Sequence, residues 1–274
     1  MSKYIREGRF GPPKSFKTGA VVGTYPKPML VLEFDAGGLD IIPTTPQPDL
    51  PNRIKCDCLQ SDITYIDAKD ISTFCKKKTE ELSKVTCIDF TKSRKFEVTE
   101  KYEFTADKDS FIHVINVINS LKKVGCPWKT IVIDPATDLI DMIISHLTAT
   151  NHSAMETKGT VNPQRWAPLA AGKFKQIIDT LHSIDVNCVT ILHDTMKEIE
   201  LTHEIRIQPM LVSQLRDRIG ASFSYYFYAT KEGDKAVVYT TDKGFVKGIG
   251  GRNPVQMPAV CGADFNSIYG KEQL

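Results

Sequence analysis

The chain has 274 residues, of which 41% are apolar and 25% charged. That balance excludes wholesale disorder, and a chain of this length buries roughly three quarters of its extended surface without disulfide staples. Lys and Arg number 35 against 33 Asp and Glu, so the net charge is +2, which excludes a histone-like partner mode but not a local basic patch. Seven cysteines, an odd number without framework spacing, read as reduced thiols. Cys56-x-Cys58, with Cys75 and Cys87 further on, is the nearest approach to a zinc pattern, but the second pair is too spread for a knuckle. No run approaches the ~18 apolar residues of a membrane span. The charged start MSKYIREGRF has no apolar segment behind it, so a cytoplasmic protein with no signal peptide is expected.

In chain order, residues 1–10 read as a short strand or lead-in and 11–18 as a Gly/Pro/Lys turn. A helix starts near 19 and is cut short by Pro26 and Pro28. Residues 28–35 are apolar on both faces and read as a buried parallel strand, broken by Gly37 and Gly38. Prolines 43, 46, 48 and 51 exclude regular structure there. Residues 68–84 are helical by composition, and 85–104 read as one or two edge strands. The spacing of Phe111, Val114, Ile115, Ile118 and Leu121 predicts a helix. Residues 130–134 form a buried strand, 136–147 a helix, 148–166 a mobile loop and 167–183 a further helix. A buried strand over 186–194 precedes a second loop, about 195–209, and residues 210–220 look helical. Residues 224–230 and 235–241 make a strand pair with Gly233-Asp234 in its turn. The alternation predicts an α/β fold: one domain over 1–274, a mainly parallel sheet with helices on both faces, an antiparallel edge, and an insertion at about 44–105.

Gly11-Pro12-Pro13-Lys14-Ser15-Phe16-Lys17-Thr18 fits the phosphate-loop pattern G-x4-G-K-[ST] except that Phe16 replaces the second glycine. In such a loop the backbone N–H groups converge on phosphate, the lysine reaches the β/γ oxygens and the hydroxyl holds Mg²⁺. Phenylalanine fits there if its φ is negative and its ring turns away from the phosphates. The bland alternative is a Lys-rich surface loop. A site of this kind needs a second buried strand ending in an acid, and Thr130-Ile-Val-Ile-Asp134 supplies one. Read alone, Asp134 is equally a strand-ending cap before Pro135.

The succession of Gly11–Thr18, LVLEFDAGG, IVIDPATDL and VTILHDTMK resembles the RecA-like P-loop ATPases, above all the short phage-encoded proteins of single-strand annealing and recombination. The resemblance covers roughly residues 8–40 and 107–260. It implies ATP and Mg²⁺ as cofactors and a host cytoplasm as the setting. It assigns the water-activating carboxylate to Asp35, with Glu33 as alternative, and a γ-phosphate sensor to His193. It implies a filament or ring in which Lys247 and Arg252 reach a neighbour's site. It places single-stranded DNA on two loops, at Lys158, Arg165 and Trp166 and at Lys197 and Arg206, and admits a single-strand-binding protein as a further partner. The bland readings are an Asp35 turn cap, a structural His193, solvated cations at 243–252 and a Trp166 that anchors a helix start. Two rival functions stay open: a nucleotide-gated scaffold that hydrolyses little, and a P-loop ATPase acting on cargo other than DNA.

Overall fold

The computed structural model describes residues 3–45, 54, 56–91, 97–98, 104–105, 110–150, 163–199, 203–251 and 257–270. Along the chain run β1 (Arg6–Gly11), α1 (Lys17–Thr24), β2 (Met29–Glu33), β3 (Ile63–Tyr65), α2 (Ile71–Phe74), β4 (Val85–Asp89), β5 (Glu97–Val98) and β6 (Phe104–Thr105). They are followed by α3 (Ser110–Val124), β7 (Thr130–Asp134), α4 (Ala136–Thr150), α5 (Pro163–His182), β8 (Asn187–Ile199) and β9 (Glu204–Pro209). The chain continues through α6 (Ser213–Arg216), β10 (Tyr225–Glu232), β11 (Lys235–Tyr239), β12 (Gly250–Gly251), β13 (Val260–Gly262) and α7 (Phe265–Tyr269). β5 and β6 form a separate two-stranded ribbon.

The main sheet has the order β13-β11-β10-β1-β8-β7-β2-β4-β3. Every neighbouring pair from β10 to β3 is parallel. β11 and β13 add an antiparallel edge, and β9 and β12 pair antiparallel off the main path. Strands this apolar need cover on both faces. Leu30, Leu32, Ile131, Ile133, Cys188 and Leu192 point to one face, under α3, α4 and α5. Met29, Val31, Val132, Val189 and Ile191 point to the other, under α1 and α7. This is the expected mainly parallel α/β fold with helices on both faces and an antiparallel edge.

Buried charge ties the first strand to its surroundings. Arg6 donates to the carbonyls of His182 at 3.1 Å and Ile184 at 2.6 Å, and to that of Val186, closing the end of α5. On the opposite face Arg9 pairs with Glu7 at 2.6 Å, both fully buried. Tyr25 and Tyr269 donate their hydroxyls to the same Glu7 carboxylate, and Arg9 donates to Ala263 O at 2.9 Å. That network joins β1 to the end of α1 and to α7, and satisfies each charge it buries.

Several expected elements differ. Residues 68–84 are not one helix: only Ile71–Phe74 is α-helical, between short 3₁₀ turns at Ala68–Asp70 and Thr79–Glu81. No apolar stripe continues through Lys76–Lys78, so no face is left to pack a longer helix. β4 is not an edge strand; it lies between β2 and β3, buried from Val85 to Ile88. Residues 63–65 and 85–89 of the expected insertion therefore belong to the main sheet. The expected loop at 195–209 is an antiparallel arm in which β8 runs on to pair with β9. Helix 210–220 shrinks to the single turn Ser213–Arg216 and a 3₁₀ turn. The loop expected over 148–166 is helical at both ends, with 151–162 outside the described residues.

Candidate functional site

The parallel register brings three strand ends and the middle of β8 to one edge: Gly11 lies opposite His193, and Glu33 opposite Asp134. At that edge β1 turns through residues 12–16 into α1, whose first two residues are Lys17 and Thr18. Gly11 is fixed by packing: a Cβ there would lie 1.9 Å from the Ala229 carbonyl oxygen of β10. Lys14 and Phe16 both have left-handed backbone, with φ of 61° and 65°. The negative φ expected of Phe16 is thus not what the loop adopts; Phe16 takes the conformation for which glycine is suited. Its ring turns toward β10, where the Lys231 ammonium lies 4.4 Å from its centroid.

Pro13, Lys14, Ser15, Phe16, Lys17 and Thr18 wall a cavity of about 300 Å³ with Asp35, Gly37, Gly38, Asp134, Pro135 and His193. Gly11 and Pro12 contribute their carbonyls, which accept from Lys17 Nζ at 2.8 and 2.7 Å; Ser15 Oγ lies at 3.2 Å. Burial pushes the Lys17 ammonium down to about 8, against the pull of Asp134 and Asp194. Thr18 Oγ1 donates to Asp134 Oδ2 at 2.5 Å. Burial pushes the Asp134 carboxyl up to about 6, opposed by that hydrogen bond and by Lys17. A hydroxyl and a carboxylate at this spacing are hard oxygen donors and fit Mg²⁺.

Asp35 and Glu33 are separated by the fold. Asp35 is exposed and lines the cavity. Glu33 is 3% exposed. Its Oε1 accepts from Leu39 N at 3.2 Å and its Oε2 from Cys87 Sγ at 3.4 Å, and burial raises its carboxyl. Glu33 therefore braces the turn after β2, and Asp35 faces the cavity. His193 also lines the cavity; its backbone N–H donates to Thr137 Oγ1 at 2.9 Å, and burial, then Lys17, lowers its imidazole. Its Nδ1 is buried without a hydrogen-bond partner. Asp35, Asp138 and His193 each bring one polar atom to within 4.8 Å of the others. A group of this composition can orient a water or hold a cation.

Asp138 and Lys231 went unseen in the sequence. The legible signal for Asp138 was an acid in the first turn of the helix after Asp134. Nothing local marks Lys231, which arrives by the β1–β10 pairing.

The remaining expected residues lie elsewhere. Lys197 and Arg206 are cross-strand partners on the β8–β9 arm, both exposed, and Arg206 pairs with Glu204 at 3.1 Å. Arg165 is exposed at the start of α5. Trp166 packs against the core with its indole N–H buried, the posture of a helix anchor. Lys247 is exposed and outside the cavity wall. Lys158 and Arg252 fall outside the described residues. No helix among the described residues is long and apolar enough to cross a membrane.

The family described as an AAA domain matches residues 71–247. The match takes in β7, β8 and β10 and begins after the phosphate loop and Asp35. A search of curated proteins returns no match. Among solved structures, a prototypical ATPase from the type III secretion system of pathogenic bacteria is similar at 8% identity and TM-score 0.40, over 83% of this chain and 51% of that one. This chain thus spans about half the length of that ATPase. The RadB recombinase is similar at 13% identity and TM-score 0.37, over 86% and 79% of the two chains. The genome packaging NTPase B204 from Sulfolobus turreted icosahedral virus 2, in complex with ATP-gammaS, is similar at 8% identity and TM-score 0.32, over 86% and 79%.

Proposed function

The chain belongs to the AAA domain family of P-loop ATPases, and from that premise we propose that it binds and hydrolyses ATP at Lys17–Thr18, self-associates, and acts on single-stranded DNA in recombination or strand annealing. The observation that carries the nucleotide reading is the Thr18–Asp134 hydrogen bond at the first turn of α1, beside the buried Lys17 ammonium. Those groups come from two strand ends brought together only by the sheet.

In this reading Lys17 exchanges the carbonyls of Gly11 and Pro12 for the β/γ oxygens of the triphosphate. Thr18 and Asp134 would hold Mg²⁺, and the ion would supply charge neutralisation for the transferred phosphoryl group. Asp35 orients the attacking water and accepts its proton, and His193 faces the γ-phosphate. Lys247 and Arg252 supply a neighbour's transition state with a further cation. Lys197 and Arg206, side by side on the arm, and Arg165 give DNA phosphates their contacts. The protein acts in the cytoplasm, with a single-strand-binding protein as a natural companion on the same strand.

A second reading is a nucleotide-gated binding protein with little turnover. Phe16, with Lys231 over its ring, favours it, because side-chain bulk stands where close backbone approach to phosphate is needed.

Lys17→Ala separates the nucleotide reading from a bland surface loop. Losing this charge-assisted contact costs about 2 kcal/mol or more, roughly thirtyfold in Kd by calorimetry. Unchanged affinity removes the phosphate-loop assignment. The ATPase rate with and without single-stranded DNA then decides the rest. Stimulation supports the recombination reading, tight binding without turnover the second reading, and DNA-independent turnover an ATPase with other cargo.

A further inference from the structure

The seven cysteines do not gather into a four-thiolate site. Cys75 and Cys87 are buried in different apolar clusters. Cys56 and Cys58, however, stand together on the segment that runs beneath the end of α1. Their sulfurs are 3.7 Å apart. Cys56 is half-buried and reachable from solvent, whereas Cys58 is 1% exposed.

The segment is pinned to the helix that carries the phosphate loop. Asp57 N donates to Gly23 O at 3.0 Å, and Cys58 Sγ lies 3.6 Å from Val22 O. A Cβ on Gly23 would meet Cys56 Sγ at 3.1 Å, so the last turn of α1 lies directly on the thiol pair. Lys27 pairs with Asp57 between the two cysteines, and the Lys84 ammonium donates to Asp57 O at 2.9 Å. Lys27 favours a thiolate at Cys56 and Asp57 opposes it, while Lys84 is itself paired with Asp62 at 3.0 Å.

We propose that Cys56 and Cys58 form a reversible dithiol–disulfide site whose oxidant is a hydroperoxide, with Cys56 as the attacking thiol and Cys58 as the resolving one. The division of labour follows from exposure: the peroxide reaches Cys56, and the buried Cys58 reaches only Cys56. The thiolate of Cys56 attacks the O–O bond; an S–O bond forms, the O–O bond breaks, and the departing oxygen takes up from solvent the proton that Cys56 had shed, leaving as water or an alcohol. The sulfur of Cys58 then attacks Cys56; an S–S bond forms, the S–O bond breaks, and the hydroxide leaves as water with the Cys58 proton. Two thiols are oxidised and one peroxide is reduced. Thiol charge agrees with these roles. The hydrogen bond from Cys58 pulls the Cys56 thiol down to about 6, while Cys58 itself is raised, first by that hydrogen bond and then by burial. Burial pushes the half-buried Cys126 and Cys261 up to about 12 and about 11, so neither competes as a thiolate.

Bridging draws the sulfurs to about 2 Å and takes the Cys58 S–H away from Val22 O. A bridge between residues two apart closes a small ring, and strained or exposed disulfides are the readily reduced ones. The site therefore cycles rather than locks.

The test treats the full-length protein with hydrogen peroxide, quenches with an alkylating agent, and maps cysteines by peptide mass. The expected result is loss of two hydrogens confined to Cys56 and Cys58, reversed by dithiothreitol, at least tenfold faster than modification of Cys126 or Cys261. Cys58→Ser is expected to stop at a Cys56 sulfenic acid that dimedone captures. The proposal is overturned if Cys126 or Cys261 reacts first, if Cys56 bridges between chains, or if the pair is shielded by a metal that a chelator releases. The measurement on the unmodified sequence decides the matter even where Cys58→Ser fails to fold. It is independent of nucleotide binding.

Discussion

Phe16 carries the largest departure of the site from its sequence pattern, and its backbone explains how the loop tolerates it. A left-handed residue with a side chain costs about 1–2 kcal/mol relative to the right-handed region. The ring recovers part of that through partial burial against the face under α1 and through Lys231. Truncation therefore exposes the strain. Phe16→Ala is expected to be less stable than Phe16→Gly by about 1 kcal/mol in urea unfolding, the reverse of the order in an ordinary helix. Equal stabilities would mean that Phe16 does not hold this φ in solution. The two carboxylates after β2 divide by burial. Asp35→Asn is expected to lower turnover about 100-fold or more while leaving ATP affinity within about threefold, since it removes a base but keeps size and polarity. Glu33→Gln is expected to act on stability, because Glu33 braces Leu39 and Cys87. Normal turnover in Asp35→Asn with loss in Glu33→Gln would reverse the two roles. Lys17, Thr18 and Asp134 were legible because each sits at a fixed distance from a buried strand. Asp138 carried a local signal, an acid in the first turn after Asp134, that went unread, and Lys231 carried none, because strand pairing delivers it.

At the scale of elements, the buried strands were the most legible features. Residues 29–32 and 131–133 are apolar on both faces, toward either layer of helices, the pattern of a buried parallel strand. The arm was illegible because Thr195–Ile199 loses that pattern, and its order comes from pairing with β9. The join between α5 and β8 shows how one element end depends on another. His182 closes α5, with its ring edge-on to Phe223 at 5.6 Å and its Nε2 buried without a partner. Burial, helped by the nearby Arg6, pushes this imidazole down to about 4. The unfolded chain therefore binds the proton more readily than the folded one between about pH 6.5 and 4. The stability His182 contributes is complete above pH 6.5 and is lost as pH falls through that window, reaching about 2 kcal/mol at pH 5. Urea unfolding at pH 7 and pH 5 is expected to show a smaller loss for His182→Asn than for the parent chain. An identical loss in both would assign the acid sensitivity to other groups.

On the scale of the whole molecule, the proposed reading leaves the catalytic inventory incomplete in one copy. Lys17, with Mg²⁺ held by Thr18 and Asp134, would meet part of the charge on the triphosphate, and the transition state of phosphoryl transfer spreads more over its equatorial oxygens. Lys247 stands outside the cavity wall, on a loop turned outward at Gly244 and Gly248, where φ is 56° and 76°. The same loop leans on the arm through Phe245 O, which accepts from Ile207 N at 2.9 Å. Around it Phe245 is 56% exposed, Met196 74% and Ile205 44%, so apolar side chains stand in water on both the loop and the arm. A neighbouring copy that covers this surface would also receive Lys247. ATPase activity is therefore expected to rise faster than linearly with protein concentration. Lys247→Ala is expected to lower turnover about tenfold or more with little change in nucleotide affinity, the opposite of Lys17→Ala. Phe245→Ser is expected to shift light scattering toward monomer. Mixing Lys247→Ala with Lys17→Ala chains should restore part of the activity, because some interfaces then join an intact phosphate loop to an intact Lys247. Strictly linear activity, with a monomer in the presence of ATP and DNA, would place the missing charge within one chain, and Lys231 beside the phosphate loop would be the residue to test next.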